Sequence, residues 1–347
     1  MVILILALLS LVTLQSIAPQ LLDKQALYFV VGAGIFFVTA QVSFERWQAL
    51  SPYLYAVMLV LLFITQLIGR VTRGATSWIP IGSFHIQPSQ LGIVVTGLLI
   101  VTMISKRPVR SIPDLLRIGL LIDLPAFLIF IQPELGTTII YAISLAVLLF
   151  VARTRISLLV LSFICIAVLS VIGWNFILRP YQKDRLSSFI NAQQDQLGAG
   201  YNALQSMIAV GSGEIYGRGI GQGVQSHLRF LPERQTDFVF ASFAEETGLL
   251  GALPVVFLYG SLTFFLIYVG FQFQKPAERY FAFLTATMIA VQAGINIGMN
   301  MGLFPITGIT LPLFSYGGSS ILALCFHFGC VQSMIRRLQR QETLFIT

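Results

Sequence analysis

One carboxylate in the sequence is well placed to take a proton from a substrate. Asp237 lies where a polar segment ends and the apolar run Phe238-Val239-Phe240 begins. A carboxylate at such a boundary is partly withdrawn from water, which favours proton uptake and makes the anion a better base. The same position suits the start of a helix, where Thr236 or Asp237 would bind backbone amides. From the local pattern both interpretations stay open, and one side chain can serve both.

Arginines in the polar segment before Asp237 offer positive charge to a substrate. Residues 179–237 carry six basic and five acidic side chains, so the segment has little net charge. A guanidinium group can bind a pyrophosphate through two parallel hydrogen bonds. The candidates for this contact are Arg185, Arg229 and Arg234. A solvated surface ion pair remains the alternative for each of them.

Ionisable residues also occur within or beside the apolar segments. Glu134 begins one such segment, and Asp123 lies in the middle of another. A charged group inside a membrane is costly in free energy and is therefore a candidate functional residue. Glu134 also suits a helix start, where the helix dipole stabilises negative charge. The sequence around Asp123 does not indicate a role for it.

The composition requires that membrane helices position these residues. The chain is 56% hydrophobic and 10% charged, with a mean hydropathy of +0.85, whereas soluble domains are about 25% charged. We predict an all-α polytopic membrane protein of about ten transmembrane helices, forming a single domain over residues 1–347. One large extracytoplasmic loop is expected at 179–237, and Pro254 is the expected break in the long eighth span. The ten apolar stretches are 2–18, 26–43, 53–69, 87–104, 115–132, 134–152, 156–178, 238–271, 280–304 and 318–335.

Basic residues in the short connections predict the orientation. Twelve lie on one side of the predicted spans and three lie on the other. Because basic residues accumulate on the cytoplasmic side, both termini are expected in the cytoplasm. The same distribution accounts for the net charge of +7 without nucleic acid. The three cysteines show neither a disulfide framework nor zinc spacing.

Several motifs, in order and in register, resemble one known family. The motif nearest the C-terminus joins Asn296 to the helix-breaking run Gly302-Leu303-Phe304-Pro305-Ile306-Thr307-Gly308-Ile309 and to Leu313-Phe314-Ser315-Tyr316-Gly317-Gly318-Ser319-Ser320. The earlier motifs are Gln132-Pro133-Glu134-Leu135-Gly136, Pro232-Glu233-x-x-Thr236-Asp237-Phe238 and Glu245-Glu246-x-Gly248. Together they resemble the SEDS family, the RodA, FtsW and SpoVE proteins, over about residues 46–335.

The resemblance implies a peptidoglycan glycosyltransferase of the bacterial cytoplasmic membrane that polymerises lipid II at the outer face. Asp237 would be its general base, and a class B penicillin-binding protein its partner. The donor would be an undecaprenyl-pyrophosphate-linked glycan. The resemblance leaves the cofactor open: either arginine side chains or a divalent cation (Mg²⁺ or Mn²⁺), with Asp237 as candidate ligand, would supply positive charge beside the pyrophosphate. Besides the three arginines, the implied substrate-binding residues are Glu233, Thr236, Gln87, Ser89, Glu134, Ser315, Tyr316, Gly317 and Gly318.

Two other function classes remain alternatives. A lipid II flippase or other transporter would favour charged residues through both leaflets, whereas the polar residues here concentrate on the side expected to be outside. A non-catalytic scaffold of a cell-wall synthesis complex would not need Asp237. Within the family, the short segment before the first span and the lack of Lys in Ile306-Thr307-Gly308 favour the elongation type, RodA, over division or sporulation.

The sequence departs from the family pattern at the start of the fourth predicted span. The family commonly has Gln-Pro-Ser-Glu with a Lys three residues later, whereas this chain has Gln87-Pro88-Ser89-Gln90 and then Ile93. Residues three apart share a helix face. We interpret the change as the joint loss of an ion pair, because losing one partner would leave a buried charge unpaired. Ser77 also replaces an arginine that many members have.

Overall fold

Helices account for most of the chain. The computed structural model describes residues 1–72, 75–81, 84–132, 134–176, 183, 199–228 and 230–346. In chain order the helices are α1 (Val2–Ile17), α2 (Leu22–Gln41), α3 (Phe44–Ile68), α4 (Pro88–Lys106), α5 (Ile112–Ile131), α6 (Leu135–Val151), α7 (Ile156–Phe176), α8 (Ala199–Ser212), α9 (Val224–His227), α10 (Val239–Gln272), α11 (Pro276–Asn300) and α12 (Gly318–Ile346). All except α8 and α9 have at least 16 residues.

The prediction of an all-α, multi-pass membrane protein is confirmed. Each of the ten predicted apolar stretches coincides with one of the long helices. Within the described chain, six helical segments are long and apolar enough to cross a membrane, and α1, α6 and the first part of α7 are apolar but shorter. The six are Pro19–Gln41, Phe44–Leu67, Pro88–Lys106, Val239–Gln272, Pro276–Asn300 and Gly318–Arg340.

Helix α10 is interrupted at Gly248, and the predicted break at Pro254 is wrong. Gly248 has a φ of 64° and a ψ of −164°, whereas Pro254 lies within the helical segment that follows. The amides of Leu249 and Leu250 donate to carbonyls of the preceding segment, 2.9 and 3.1 Å away. Tertiary hydrogen bonds therefore replace helical ones at Gly248, and the proline is accommodated after the interruption.

Three short antiparallel strands between α3 and α4 were not predicted from the sequence. They are β1 (Arg70–Thr72), β2 (Ala75–Ile81) and β3 (Phe84–Ile86), with β2 between the other two. Ile79 lies opposite Ile86 in the β2–β3 pair. Since β3 ends one residue before Gln87, the strands lead the chain into the start of α4.

The chain forms two compact units, each assembled from separate stretches. The first comprises Met1–Leu27, Cys165–Leu262 and Ile289–Gly317. The second comprises Tyr28–Ile164, Thr263–Met288 and Gly318–Thr347. The single membrane domain over the whole length stays a prediction.

Each unit has its own buried centre. In the first unit, Ala209, Leu231, Phe238 and Ala241 form a buried apolar cluster, so the residue that follows Asp237 is a core residue. In the second unit, α4 packs against α3, α5, α6 and α12, and most of its length is buried. This packing explains why the sequence of α4 is apolar around its whole circumference.

The predicted extracytoplasmic loop, residues 179–237, is structured in the part that can be described. Helix α8 begins at Ala199, and turns connect it to α9 and then to α10. The candidate residues Arg185 and Arg229 lie outside the described residues. The placement of this segment outside the cytoplasm stays a prediction.

Candidate active site around Asp237

Asp237 lies in a tight turn immediately before α10. Two main-chain hydrogen bonds close the turn, because the amides of Thr236 (3.0 Å) and Phe238 (3.3 Å) both donate to the Glu233 carbonyl. Glu233 has a φ of 53°, in the left-handed region that residues with side chains seldom adopt. Phe238 is 2% exposed, whereas Asp237 is half-buried. The carboxylate therefore stands at the border between the polar segment and the core of this unit.

Two asparagines of α11 hold the backbone of Asp237. The side-chain amides of Asn296 and Asn300 each donate to the Asp237 carbonyl, both at 3.0 Å. The two residues are one helical turn apart, and both are fully buried. Asn296 also donates to the carbonyl of Ile309 at 2.7 Å. Asn300 had no predicted role, although a buried amide in an apolar helix, four residues after another asparagine, is a recognisable signal.

Asn300 also serves the start of α10. Its Oδ1 accepts a hydrogen bond from the Ala241 amide (3.1 Å), which belongs to the first turn of the helix. The Thr236 hydroxyl instead donates to Glu233, at 3.1 Å to the carboxylate and 3.3 Å to the carbonyl. The predicted capping role of Thr236 is therefore absent from its described hydrogen bonds, and a side chain from another helix satisfies one of the free amides.

The Ser315-Tyr316-Gly317 segment binds the turn on its other side. The Ser315 hydroxyl donates to the Thr236 carbonyl at 2.6 Å, and the Tyr316 amide donates to the Gln235 carbonyl at 2.8 Å. Ser315 Oγ also accepts from the Leu311 amide at 2.7 Å. These residues were predicted to bind substrate. The structure brings them together with Asp237 through the main chain of the turn.

Gln25 of α2 holds the same segment through two hydrogen bonds. Its side-chain nitrogen donates to the Ser315 carbonyl (3.1 Å), and its side-chain oxygen accepts from the Gly317 amide (3.3 Å). Gln25 is fully buried. A glutamine that satisfies both groups of a neighbouring backbone at once fixes its position strongly. No local pattern indicated this pairing, since 290 residues separate Gln25 from Ser315.

Of the three predicted arginines, the structure describes Arg234 alone. Its Nε donates to the carbonyl of Ile17, the last residue of α1, at 3.0 Å. Arg234 is three residues before Asp237 in the chain, and this hydrogen bond holds its guanidinium group at the end of α1. A guanidinium group so close in the chain to the candidate base is of the type that binds anionic groups.

A buried pair of glutamates attaches the glycine-rich segment 217–223 to α10. Glu245 is fully buried, and Glu246 is 3% exposed. The Glu245 carboxylate accepts from the Gln225 amide (2.8 Å), the Ser226 amide (3.1 Å) and the Ser226 hydroxyl (2.6 Å). Three donors on one carboxylate compensate much of the cost of removing it from water.

Glu246 makes a second set of contacts. Its Oε1 accepts from the Ser16 hydroxyl (2.5 Å) and the Gly221 amide (3.1 Å), and lies 3.0 Å from His227 Nε2. At Gly217, a Cβ atom would lie 2.2 Å from the Glu246 carbonyl oxygen. The glycine therefore permits a close approach of two backbones next to the interruption of α10.

A separate polar cluster in the second unit contains the other predicted site residues. Glu134 precedes α6 and is buried. Its two carboxylate oxygens accept from the side chains of Gln87 and Ser89, each at 2.6 Å. The Gln87 amide donates to the Ser319 hydroxyl at 2.9 Å. The Glu134 carboxylate thus joins the starts of α6 and α4, and the Gln87 amide joins the start of α4 to that of α12. At Gly318, a Cβ atom would lie 2.6 Å from the Tyr28 ring.

The positions that depart from the family pattern border this cluster. Gln90 Nε2 lies 3.5 Å from Gln87 Oε1, and Ile93 is 2% exposed. The Ser77 hydroxyl donates to the Gln132 carbonyl at 3.2 Å. Neutral side chains therefore occupy these places, and among the hydrogen bonds of the described residues Gln90 is linked to Glu134 through Gln87.

The described residues do not form a ready-made metal site. No three His, Cys, Asp or Glu side chains among them lie close enough together to hold an ion. The buried carboxylates of Glu134, Glu245 and Glu246 already accept hydrogen bonds from N–H and O–H donors. A cation beside Asp237 would need further oxygen ligands from a substrate, and no step proposed below depends on one.

Comparison with known proteins gives matches along the whole chain. Residues 1–340 match the FtsW, RodA and SpoVE family, described as cell cycle protein. Escherichia coli (strain K12) peptidoglycan glycosyltransferase MrdB is 34% identical over 317 residues, which cover 90% of this chain and 85% of MrdB. The probable peptidoglycan glycosyltransferase FtsW of Aromatoleum aromaticum is 35% identical over 336 residues, covering 91% of this chain and 79% of that protein.

Solved structures share the fold over a similar length. A chain of a peptidoglycan synthase complex, described for its structural coordination of polymerization and crosslinking, superposes with a TM-score of 0.84 at 29% identity. That match covers 97% of this chain and 96% of the other. The Thermus thermophilus rod shape determining protein RodA superposes with a TM-score of 0.73 at 27% identity, covering 96% and 94% of the two chains.

Proposed function

Because this chain belongs to the FtsW, RodA and SpoVE family of cell cycle proteins, we propose that it is a peptidoglycan glycosyltransferase. The relatives from Escherichia coli and Aromatoleum aromaticum carry that activity in their names. The likeness to the rod shape determining protein RodA supports a role in cell elongation and shape. The protein acts as a multi-pass protein of the bacterial cytoplasmic membrane, with both termini in the cytoplasm.

The proposed reaction joins two lipid-linked sugars at the outer face of that membrane. The 4-hydroxyl oxygen of the GlcNAc of an incoming lipid II attacks the anomeric carbon of a growing glycan held on undecaprenyl pyrophosphate. Asp237 takes the hydroxyl proton as the new C–O bond forms. The bond from the anomeric carbon to the pyrophosphate breaks, and undecaprenyl pyrophosphate leaves with the electron pair. Attack opposite the leaving group changes the linkage from α to β.

The observation that carries this proposal is the way in which Asp237 is held. Its carbonyl accepts two hydrogen bonds from buried asparagines, and its turn is bound from the other side by Ser315 and Tyr316. The half-buried carboxylate is thus presented from a backbone that is held on two sides. Positioned proton acceptors contribute about 10²–10⁴-fold to enzymatic rates. A helix cap alone would not need such support, since Asn300 already serves the first turn of α10.

Positive charge is needed where the pyrophosphate departs. Arg234, held by the end of α1, is the described candidate. Charge fixed in place before the reaction stabilises a developing anion without reorganisation. Arg185 and Arg229 are proposed for the same role on the sequence alone. Glu134, Gln87 and Ser89 are proposed, on the resemblance to the family, to bind polar parts of the lipid-linked substrates.

A penicillin-binding protein of class B is the proposed partner. The solved complex with a TM-score of 0.84 is described as a peptidoglycan synthase complex that coordinates polymerization with crosslinking. A membrane polymerase of this fold is therefore found together with a crosslinking activity. For this chain, lipid II, the lipid-linked glycan and the partner remain proposals.

Incubation of the purified protein with lipid II tests the function. Glycan strands that lengthen with time, resolved by gel electrophoresis, are the expected product, with the partner added in a parallel reaction. The flippase alternative predicts movement of labelled lipid II across a liposome bilayer without polymer. The scaffold alternative predicts partner binding with neither product. Either result in place of polymer would overturn the proposed reaction.

A further inference from the structure

Asp123 is an exposed carboxylate half-way along helix α5 of the second unit. The helix has 20 residues, about the length that crosses the hydrocarbon core of a bilayer. Near its start, Asp114 forms an ion pair of 2.9 Å with Arg107, and charged residues are tolerated at such helix ends. Asp123 is nine residues further on, or about 13 Å along the helix axis. It therefore lies close to the middle of a core that is about 30 Å thick.

The contacts within the chain give Asp123 no structural role. No hydrogen bond or ion pair joins its carboxylate to any residue that the structure describes. The nearby proline does not need it either. Pro125 lacks an N–H group, so the Leu121 carbonyl loses its helical partner, and the Tyr55 hydroxyl donates to that carbonyl at 2.9 Å. The disturbance that Pro125 causes in the helix is thus repaired without Asp123.

The carboxylate belongs to the outward face of α5, whereas the opposite face packs into the second unit. The buried residues of the helix are Ile118, Pro125 and Ile129. The outward face contains a row of exposed residues, which we call the α5 seam: Leu116, Leu120, Asp123 and Phe127. Their separations of four, three and four residues match the spacing with which one helix packs along another. Asp123 is the polar member of this otherwise apolar seam.

We propose that the α5 seam binds a membrane-spanning helix of a partner protein that carries a lysine or arginine at the depth of Asp123. A carboxylate in hydrocarbon is costly unless an opposite charge or a hydrogen-bond donor meets it. Charge complementarity therefore favours a basic residue on the partner. A second copy of this chain would have the same orientation in the membrane, so it would bring a like carboxylate to the same depth. The proposal concerns binding and does not depend on the proposed reaction.

Model transmembrane peptides test the charge requirement. The full-length protein, labelled with a fluorescent donor, is placed in phosphatidylcholine vesicles with acceptor-labelled peptides of leucine and alanine that carry either lysine or leucine at their centre. Energy transfer measures their association. The wild-type protein should bind the lysine peptide about 5–30-fold more tightly than the leucine peptide. Equal binding of the two peptides would overturn the proposal.

Substitution of Asp123 should remove this preference. Asp123→Leu should bind both peptides alike, whereas Asp123→Asn, which keeps hydrogen bonding without the charge, should retain part of the preference. The matched control is Asp114→Asn, which neutralises a carboxylate that Arg107 already binds at the end of the same helix. This control should keep the full preference. An unchanged preference in Asp123→Leu would contradict the role of Asp123.

Cross-linking tests the location of the bound peptide. In a variant that lacks the native cysteines, Leu120→Cys should form a disulfide under mild oxidation with a lysine peptide that has a cysteine one turn from its lysine. Phe163→Cys is the control, because Phe163 is 73% exposed on α7 and lies outside the seam. It should cross-link far less. Equal cross-linking at the two positions would show that the peptide does not select the α5 seam, and the proposal would be wrong.

Measurements without peptide separate an internal role and self-association from partner binding. Asp123→Leu should unfold at the same temperature as the wild type or a higher one, because it removes a carboxylate from hydrocarbon. A marked fall would show that the carboxylate stabilises the chain itself and would refute the proposal. Energy transfer between labelled copies of the wild type that disappears in Asp123→Leu would assign the seam to a second copy, and it would also refute the proposal.

Discussion

Asn300 donates a hydrogen bond of 3.0 Å from its side-chain amide to the main-chain carbonyl of Asp237. The two residues are 63 positions apart in the chain, so the last turn of α11 directly supports the turn before α10. Asn300 also bonds with Ser206 of α8, through its carbonyl at 3.0 Å and its side-chain oxygen at 3.3 Å. One buried amide thereby links three helices of the first unit at the candidate base.

Replacement of Asn300 should impair both stability and turnover. Asn300→Ala leaves the Ala241 amide and the Asp237 carbonyl without this partner, which should lower the unfolding free energy by about 1–3 kcal/mol. A displaced base should also slow polymerisation, since a misplacement of about 1 Å can cost about 10²-fold. The measurements are thermal unfolding and the rate of glycan formation from lipid II.

The matched control for Asn300 is Gln292→Ala on the same helix. Gln292 is 6% exposed, and its Oε1 has no hydrogen-bond partner among the described residues. Its loss should therefore affect the rate far less. Equal rates for the two variants would contradict the positioning role of Asn300.

Asp237→Asn should distinguish a catalytic role of Asp237 from a purely structural one. The substitution keeps the size of the side chain and the carbonyl that the asparagines bind, but it removes the proton acceptor. Polymerisation should fall by about 10²-fold or more, while stability changes by no more than about 1 kcal/mol. Glu214→Gln, which neutralises an exposed carboxylate of the same segment, should remain active. Near-normal polymer from a folded Asn variant would refute the mechanism.

Gly248→Ala should destabilise the first unit. The residue has a φ of 64°, and a Cβ atom there would lie 2.3 Å from the Gly217 nitrogen. Alanine at a positive φ costs more than the roughly 0.4–1 kcal/mol that it otherwise contributes by stiffening the unfolded chain. The control is Gly260→Ala in the same helix, which has nothing within 4 Å of the added atom. Similar melting temperatures for the two variants would show that the interruption does not require glycine.

The neutral pair Gln90 and Ile93 should respond as a coupled site. Gln90→Glu places a carboxylate beside the Gln87 oxygen, 3.5 Å from the present Gln90 nitrogen, and should lower stability or activity. Adding Ile93→Lys supplies a partner charge and should recover part of the loss, with a coupling of about 0.5–3 kcal/mol. Thermal unfolding and polymerisation of the four proteins in the cycle measure it. Additive effects would show that the two positions are independent.

Cysteine labelling should establish the orientation. In a variant that lacks Cys165, Cys325 and Cys330, a cysteine at Gln222 should react with an impermeant thiol reagent added to intact cells. A cysteine at Gln339 should react only after the cells are opened, because the basic residues favour a cytoplasmic C-terminus. Both side chains are exposed. A third position, Ser188, lies outside the described residues and should behave like Gln222. Labelling of position 339 in intact cells would reverse the topology.

Local patterns in the sequence were sufficient to find the long helices and the position of Asp237. Apolar length predicts a membrane helix because the bilayer sets one thickness, and each predicted stretch proved to be a helix. The strands before α4 were missed because their runs, three to seven residues long, carry too little periodicity. The break in α10 was misplaced because the proline was visible locally, whereas the bonds that interrupt the helix come from Glu214 and Ile215.

The supports of the candidate site could not be read from local patterns. Ser315 reaches Thr236 across 79 residues, and Gln25 reaches Ser315 across 290. Neither propensity nor periodicity carries information about such distant pairs.

The buried Glu245 and Glu246 were visible as carboxylates in an apolar helix. Their partners lie in and beside the short helix α9, at Gly221 in the glycine-rich segment and at Ser16 of α1, and no local pattern indicated these pairings. A single sequence does show which polar residues will need a hydrogen-bond partner if they are buried.

The anchorage of Asp237 by its peptide oxygen has an evolutionary consequence. The oxygen that Asn296 and Asn300 bind is present whatever amino acid occupies position 237. A descendant that lost the carboxylate would therefore inherit the same turn and the same surfaces. Catalytic loss need not be accompanied by structural decay, and inactive copies could persist in a lineage as assembly platforms. When a gene of this kind duplicates, selection can act separately on chemistry and on architecture.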